Sequence, residues 1–159
     1  MQLTKDFTLE EFACHDKART PVPTQYVANV KRVAQSLQVL RDYLKKPIVI
    51  NSGYRTEEHN KAVGGSPNSQ HKVGKAADIC VEGMTPYQLH QTIERLIAEG
   101  KMQQGGLGLY NNFVHYDIRG VKTRWDNRRQ KLAQASLAGQ LLIIAAIVGS
   151  ALYIYLQTK

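Results

Sequence analysis

Between Leu132 and Thr158 the chain carries no charged side chain, and from Leu141 to Leu156 only Ser150, Tyr153 and Tyr155 interrupt a run of Leu, Ile, Ala, Val and Gly. A helix that is apolar on every side must be surrounded by other protein or by lipid. About 20 residues, each rising about 1.5 Å, cross a hydrocarbon layer about 30 Å thick. The rest of this 159-residue chain is too small to wrap such a helix. The pattern therefore predicts a single C-terminal transmembrane helix over residues 132–157, with Tyr153 and Tyr155 as interfacial anchors. Ala145 and Gly149 form a small-xxx-small pair, a weak signal for helix association that leaves the oligomeric state open.

What precedes that segment is long enough for one compact domain with its own core. The whole chain holds 21 Lys and Arg against 13 Asp and Glu, a net charge of +8. Such a balance favours anionic partners: cell-wall polymers, phospholipid or nucleic acid. About half of the excess lies in Lys122, Arg124, Arg128, Arg129 and Lys131, offset only by Asp126. Residues 122–131 are thus expected to be a basic juxtamembrane linker, a collar against a lipid bilayer. No basic stripe interleaved with aromatics precedes it, so nucleic acid is not an expected partner. With the collar before the apolar run and only Lys159 after it, the positive-inside tendency places the N-terminal domain on the cytoplasmic side. Met1 to Phe12 mixes Lys5, Asp6, Glu10 and Glu11 with isolated apolar residues, unlike the continuous apolar core of a secretory signal. Cys14 and Cys80 are too few for a disulfide framework and are expected to be free, packed thiols.

Within the domain, Val27, Val30, Val33, Leu37, Leu40 and Leu44 recur at spacings of three and four after Thr24, the signature of an amphipathic helix stopped by Pro47. Ile48, Val49 and Ile50 read as a short buried strand that leads Ser52, Gly53, Tyr54 and Arg55 into a loop. Thr85, Pro86 and Gln88 open a second helix with a cap residue, a first-turn proline and a side chain able to reach back to the cap. Leu89, Ile93, Leu96 and Ile97 are its inner face and Gly100 its terminator. Val63 to Gly74, rich in Gly, Ser and Asn, is expected to be an ordered loop. Leu107 to Tyr110 and Phe113 to Ile118 flank Asn111 and Asn112, two residues that tolerate positive φ, which predicts a tight hairpin. Alternation then puts Phe113, His115 and Asp117 on one face. The fold class is α+β: a small, largely antiparallel sheet packed by two or three helices.

The chemistry rests on three residues far apart in the chain. His71, Asp78 and His115 supply two imidazoles and a carboxylate, a set suited to one zinc ion with a coordination position left for water. Bound there, a water has its pKa lowered to about 7, which points to hydrolysis. A structural zinc site would fill all four positions, usually with thiolates, and two unpaired cysteines cannot do so.

Ser52-Gly53-Tyr54-Arg55-Thr56, Asn60, Val63-Gly64-Gly65, Ser69-Gln70-His71 with Gly74, Ala76 and Asp78, Gly105 to Tyr110, and Phe113-Val114-His115-Tyr116-Asp117-Ile118-Arg119-Gly120 together carry a specific resemblance. The segment from Leu3 to Trp125 resembles the zinc D-Ala-D-Ala peptidase family, the M15 metallopeptidases, in the version common in bacteriophage cell-wall lysins. The resemblance implies that His71, Asp78 and His115 bind the zinc, and that Arg55 binds a peptide carboxylate or the developing oxyanion. It also implies substrate contacts from Tyr54 and Ser69. The planar guanidinium fork suits a carboxylate at Arg55 on physical grounds as well. Peptidoglycan stem peptides are the implied substrate, and D,D-carboxypeptidase or endopeptidase the implied activity.

One departure matters. Where some members place a glutamate base three residues before the second histidine ligand, this chain has Asn112, and an amide cannot take the proton. Asp117, on the expected face of His115, is then the candidate base or an orienter of the metal site. The domain plan that follows is a peptidase over residues 1–121, the linker over 122–131 and the membrane helix over 132–157. The expected location is a virion internal membrane or a host inner membrane. The competing reading is a non-catalytic, metal-binding wall-binding or virion membrane protein that lacks a working base.

Overall fold

The structure, a computed structural model, describes residues 1–128. The expected transmembrane helix and the end of the basic linker lie outside the described residues. Among the described residues, no helix is long and apolar enough to cross a membrane.

The amphipathic run forms helix α1, Val27–Leu44, preceded by a 3₁₀ turn over Thr24–Tyr26. Val30, Val33, Ala34, Leu37 and Leu40 are buried along one stripe, as the three-and-four spacing requires. Lys45 ends the helix in the left-handed region at φ 54°, its N–H donating to the Arg41 carbonyl at 2.8 Å. Strand β1, Ile48–Ser52, follows, then a short helix α2, Glu57–Ala62, that periodicity did not reveal. Strand β2 is Ala76–Val81, helix α3 Pro86–Ala98, and strands β3, β4 and β5 are Gly106–Leu109, Val114–Asp117 and Thr123–Asp126. Helix α3 starts as expected: the Thr85 hydroxyl accepts from the Gln88 N–H and the Gln88 side chain accepts from the Thr85 N–H.

The five strands form one sheet in the order β1-β2-β4-β3-β5. Pairs β1/β2, β2/β4 and β4/β3 are antiparallel. The sheet as a whole is mixed, and β5 occupies the edge beside β3. Two further expectations are corrected. Strand β1 lies at an edge, so Ile48 and Ile50 are buried while Val49 between them is 53% exposed. The turn between β3 and β4 falls at Asn111 and Asn112, yet neither has positive φ; among the described non-glycine residues that conformation belongs to Arg19 and Lys45. Leu109 and Val114 are the last paired strand residues, and the Tyr110 N–H donates to the Phe113 carbonyl at 3.2 Å across the turn.

The second correction concerns the basic stretch. The compact unit runs Met1–Trp125, so the first residues expected as linker are strand β5. Arg124 Nε donates to the Glu94 carboxylate on α3, and Lys122 Nζ lies 3.2 Å from the same group. These two charges are spent inside the fold. The second unit, Asp126–Lys159, is described only as far as Arg128, whose guanidinium bonds the Asp126 carboxylate.

Burial alone would raise the carboxyl pKa of Glu94, but its bonds to Arg124 and Lys122 outweigh that and hold it below its ordinary value. A folded-state pKa below the unfolded one means that the pair stabilises the protein above about pH 4.3 and that this contribution fades as pH falls through the folded value. Glu94→Gln is therefore expected to lower stability by about 1 kcal/mol at pH 7 and by much less at pH 3. Urea melts at the two pH values check it; an equal loss at both would refute the pairing.

One core serves the domain. Ala77, Ile79 and Val81 of β2, Val114 and Tyr116 of β4, and Leu107 and Leu109 of β3 pack against Val33, Leu37 and Leu40 of α1 and Leu89, Ile93 and Leu96 of α3. Strand alternation sends the intervening residues to the other face. That face carries Asp78, His115, Asp117, Gly106 and Gly108.

Candidate metal centre

Sheet register brings the first two ligating residues together. Asp78 of β2 pairs directly with His115 of β4, so their side chains stand side by side on the face away from the helices. Ser52 of β1 lies opposite Asp78 on its other flank. The third residue comes from a different kind of element. His71 sits in a 3₁₀ turn, Gln70–Val73, that Ser69 opens by accepting from the His71 N–H at 3.4 Å and that Gly74 closes at φ +67°. The loop before it is tied down by buried Asn60, whose amide donates to the Ser66 carbonyl at 2.9 Å.

His71, Asp78 and His115 are 2%, 5% and 7% exposed, a degree of burial that excludes a role as ordinary surface residues. The Nε2 of His71 lies 3.2 Å from Asp78 Oδ1 and 3.1 Å from His115 Nδ1, and His115 Nδ1 lies 2.9 Å from Asp78 Oδ1. The far nitrogen of each ring is occupied. His71 Nδ1 faces the Gly53 carbonyl at 2.6 Å, and His115 Nε2 faces Asp117 Oδ2 at 3.0 Å. Since a carbonyl and a carboxylate accept, these far nitrogens carry the protons, and in the neutral rings both near nitrogens present lone pairs. With both rings neutral, two lone pairs and an anionic oxygen converge at hydrogen-bond distance.

A cation resolves that arrangement. Tetrahedral ligands about 2.0–2.1 Å from zinc stand about 3.3 Å apart, close to the three separations here. The donor set, two imidazoles and one carboxylate, fits zinc, and the groups behind each imidazole are of the kind that fix tautomer and ring orientation in metal sites. These three are the group among the described residues able to hold a metal.

The electrostatics favour the ligand form at two of the three groups. Burial pushes the His71 imidazole pKa down, against the pull of Asp78, which favours the neutral ligand form. Burial acts the same way on His115, but its bonds to Asp117 and Asp78 outweigh it and raise the value. Asp78 is held far below the carboxylate range, because its bonds to both imidazoles exceed the cost of its burial. The directions at His71 and Asp78 thus favour a neutral imidazole and an anionic carboxylate, whereas the direction at His115 favours its protonated form in the absence of a cation.

The structure places the other sequence candidates as follows. Arg55 donates from Nε to Ser52 Oγ at 2.8 Å and from Nη2 to Asp78 Oδ2, while its backbone N–H reaches the His71 carbonyl at 3.2 Å. It thus borders the cluster on the oxygen of Asp78 that the imidazoles do not use. Ser69 serves as the cap of the His71 turn. Tyr54, 9% exposed, packs with its ring 5.9 Å from that of Tyr26. Asn112 is exposed in the β3/β4 turn.

Asp117 is fully buried, and its two oxygens take bonds from His115 Nε2, the Gly106 N–H, the Arg119 N–H and the Arg119 guanidinium. It stands behind the His115 ring, on the side away from Asp78. Sequence reasoning missed what makes room for it. A Cβ at Gly106 would lie 2.3 Å from Asp117 Oδ2, and one at Gly108 would lie 2.3 Å from Trp125 Cε2. The signal was present in Gly105-Gly106-Leu107-Gly108, since glycine this dense inside a strand marks close approach by other groups.

Residues 5–117 match the family model described as Peptidase M15. Among curated proteins, no match is found.

Proposed function

This chain belongs to the Peptidase M15 family, and from that premise we propose that it is a zinc-dependent peptidase that hydrolyses peptidoglycan stem peptides or their cross-links. The observation that supports the reading most is the convergence of His71 Nε2, Asp78 Oδ1 and His115 Nδ1 within 3.2 Å, each imidazole locked from behind so that its lone pair faces inward.

In this reading His71, Asp78 and His115 hold one zinc ion, which when bound supplies a Lewis acid that polarises a carbonyl and acidifies a water. The protein's own groups do the rest. The Gly53 carbonyl and the Asp117 carboxylate hold the two rings in the tautomers that ligation needs. Arg55, already bonded to Ser52 and Asp78, keeps further N–H donors on its fork for a substrate carboxylate or for negative charge developing on the scissile carbonyl oxygen. Ser69 shapes the turn that carries His71 and sits beside the same cluster. Asp117 acts on His115 rather than on a water, because its oxygens are engaged and the ring lies between it and Asp78.

The same Asp117 geometry, together with an amide at Asn112, favours a second reading: a metal-binding wall-recognition protein with no base in place. Anchoring through residues 132–157, and a role in lysis or entry of a phage with a membrane-bearing virion, rest on the C-terminal sequence pattern and the family resemblance. Incubating the full chain with purified peptidoglycan separates the readings. The peptidase should release amino groups or free D-alanine, detected by mass, with zinc present and none after chelation. Stoichiometric zinc binding with no product would establish the second reading instead.

A further inference from the structure

Strand β5 lies beyond residue 117, where the family match ends, yet it delivers a side chain onto a candidate ligand. The Trp125 ring centroid is 5.1 Å from that of His115, with the planes tilted at 46°. Three further contacts hold the indole. Its Nε1–H donates to Tyr110 Oη at 3.1 Å, its Nε1–Cε2–Cζ2 edge lies within 2.5 Å of where a Cβ of Gly108 would stand, and the Arg119 guanidinium carbon is 5.8 Å from its ring centroid. Tyr110 is itself stacked on Phe113 at 4.3 Å and 15°. Arg119 also grips Asp117, which bonds His115 Nε2. The imidazole is therefore constrained twice: along its edge by Asp117 and on its face by Trp125.

A hydrogen bond at one nitrogen leaves a ring free to swing about the axis through that bond. A packed aromatic face removes that freedom. We propose that Trp125 is a positioning residue of the metal centre: seated on Gly108 and tethered to Tyr110, it fixes the plane of His115 so that Nδ1 points at His71 and Asp78, and thereby sets the affinity of the cluster for a divalent cation. The inference rests on the metal-peptidase reading of this cluster. It also assigns β5 to the site, so that the functional domain extends at least to Trp125.

Trp125 is the single tryptophan of the chain, so tryptophan emission reports on the surroundings of this one residue. The full chain, as wild type and as Trp125→Phe and Trp125→Leu, is titrated with zinc in competition with a chromophoric chelator, and the wild type is followed by fluorescence. Wild-type emission should change in proportion to zinc and saturate at one equivalent. Trp125→Phe, which keeps an aromatic face on His115, should bind zinc within about threefold of wild type. Trp125→Leu, which keeps apolar bulk but no ring face, should bind about tenfold to a hundredfold more weakly, the range seen when groups that orient a ligand are lost. A general loss of packing would not separate Phe from Leu in this order.

Equal zinc affinity for the two variants, or wild-type emission that ignores stoichiometric zinc, would overturn the positioning role while leaving the peptidase reading intact. A wild type that binds no zinc would overturn both.

Discussion

With His115 replaced by alanine, the full chain is expected to lose stoichiometric zinc and to hydrolyse peptidoglycan on the order of a thousandfold more slowly than wild type. The magnitude follows from what a bound metal contributes to a hydrolytic transition state, several kcal/mol, and from the conversion of about 1.4 kcal/mol to each tenfold in rate. Two ligand atoms, His71 Nε2 and Asp78 Oδ1, would remain, 3.2 Å apart, and Asp117 would lose the ring it orients. Zinc content after dialysis and the rate of amino-group release check the two halves of the prediction separately. Full zinc occupancy in His115→Ala would remove His115 from the ligand set.

The second large effect is on stability and arises one layer behind the ligands. Asp117 is fully buried and accepts from His115, from the N–H groups of Gly106 and Arg119, and from two nitrogens of the Arg119 guanidinium. Burial alone would raise its pKa, but these bonds overcome it and hold the carboxyl far below the usual range. Asp117→Ala leaves two backbone donors unsatisfied and a half-buried guanidinium without its anion. Removing one partner of such a pair costs about 3–5 kcal/mol, which corresponds to a fall of about 10 °C or more in thermal midpoint for a domain of this size. Thermal melts of the metal-free chain measure it, and a loss under about 1 kcal/mol would show that Asp117 is not the hub the geometry describes.

Asp117→Asn sharpens the functional side of the same residue. It preserves volume but cannot accept from all of these donors, so an orienting Asp117 predicts zinc binding weakened about tenfold. A general base would behave differently, with zinc held as tightly as in wild type and only turnover lost.

The two long helices, α1 and α3, were legible in the linear sequence because each is encoded locally, and so were the three candidate ligands. The three-and-four spacing of Val30, Val33, Leu37 and Leu40 is the helix α1 core stripe, and Thr85, Pro86 and Gln88 form the capping box with all its bonds made. The pattern from Ser69 to Asp78, with the alternation around His115, was enough to name the three residues that converge. Strand β5 was not legible. Thr123-Arg124-Trp125-Asp126 reads as the head of a basic linker, and only its pairing beside β3, with Arg124 on Glu94 and Trp125 on Gly108, makes it part of the domain.

From its sequence alone, this chain determined its two long helices, the α+β class and the identity of three chemically matched side chains, because periodicity, capping and ligand type are properties of residues and their near neighbours. The tertiary structure alone decided that Asp78 and His115 sit in register, that Asp117 stands behind the imidazole and not in front of it, and that Trp125 covers its face. Those are distances between segments tens of residues apart, and they exist only once burial of the apolar stripes has brought the strands side by side.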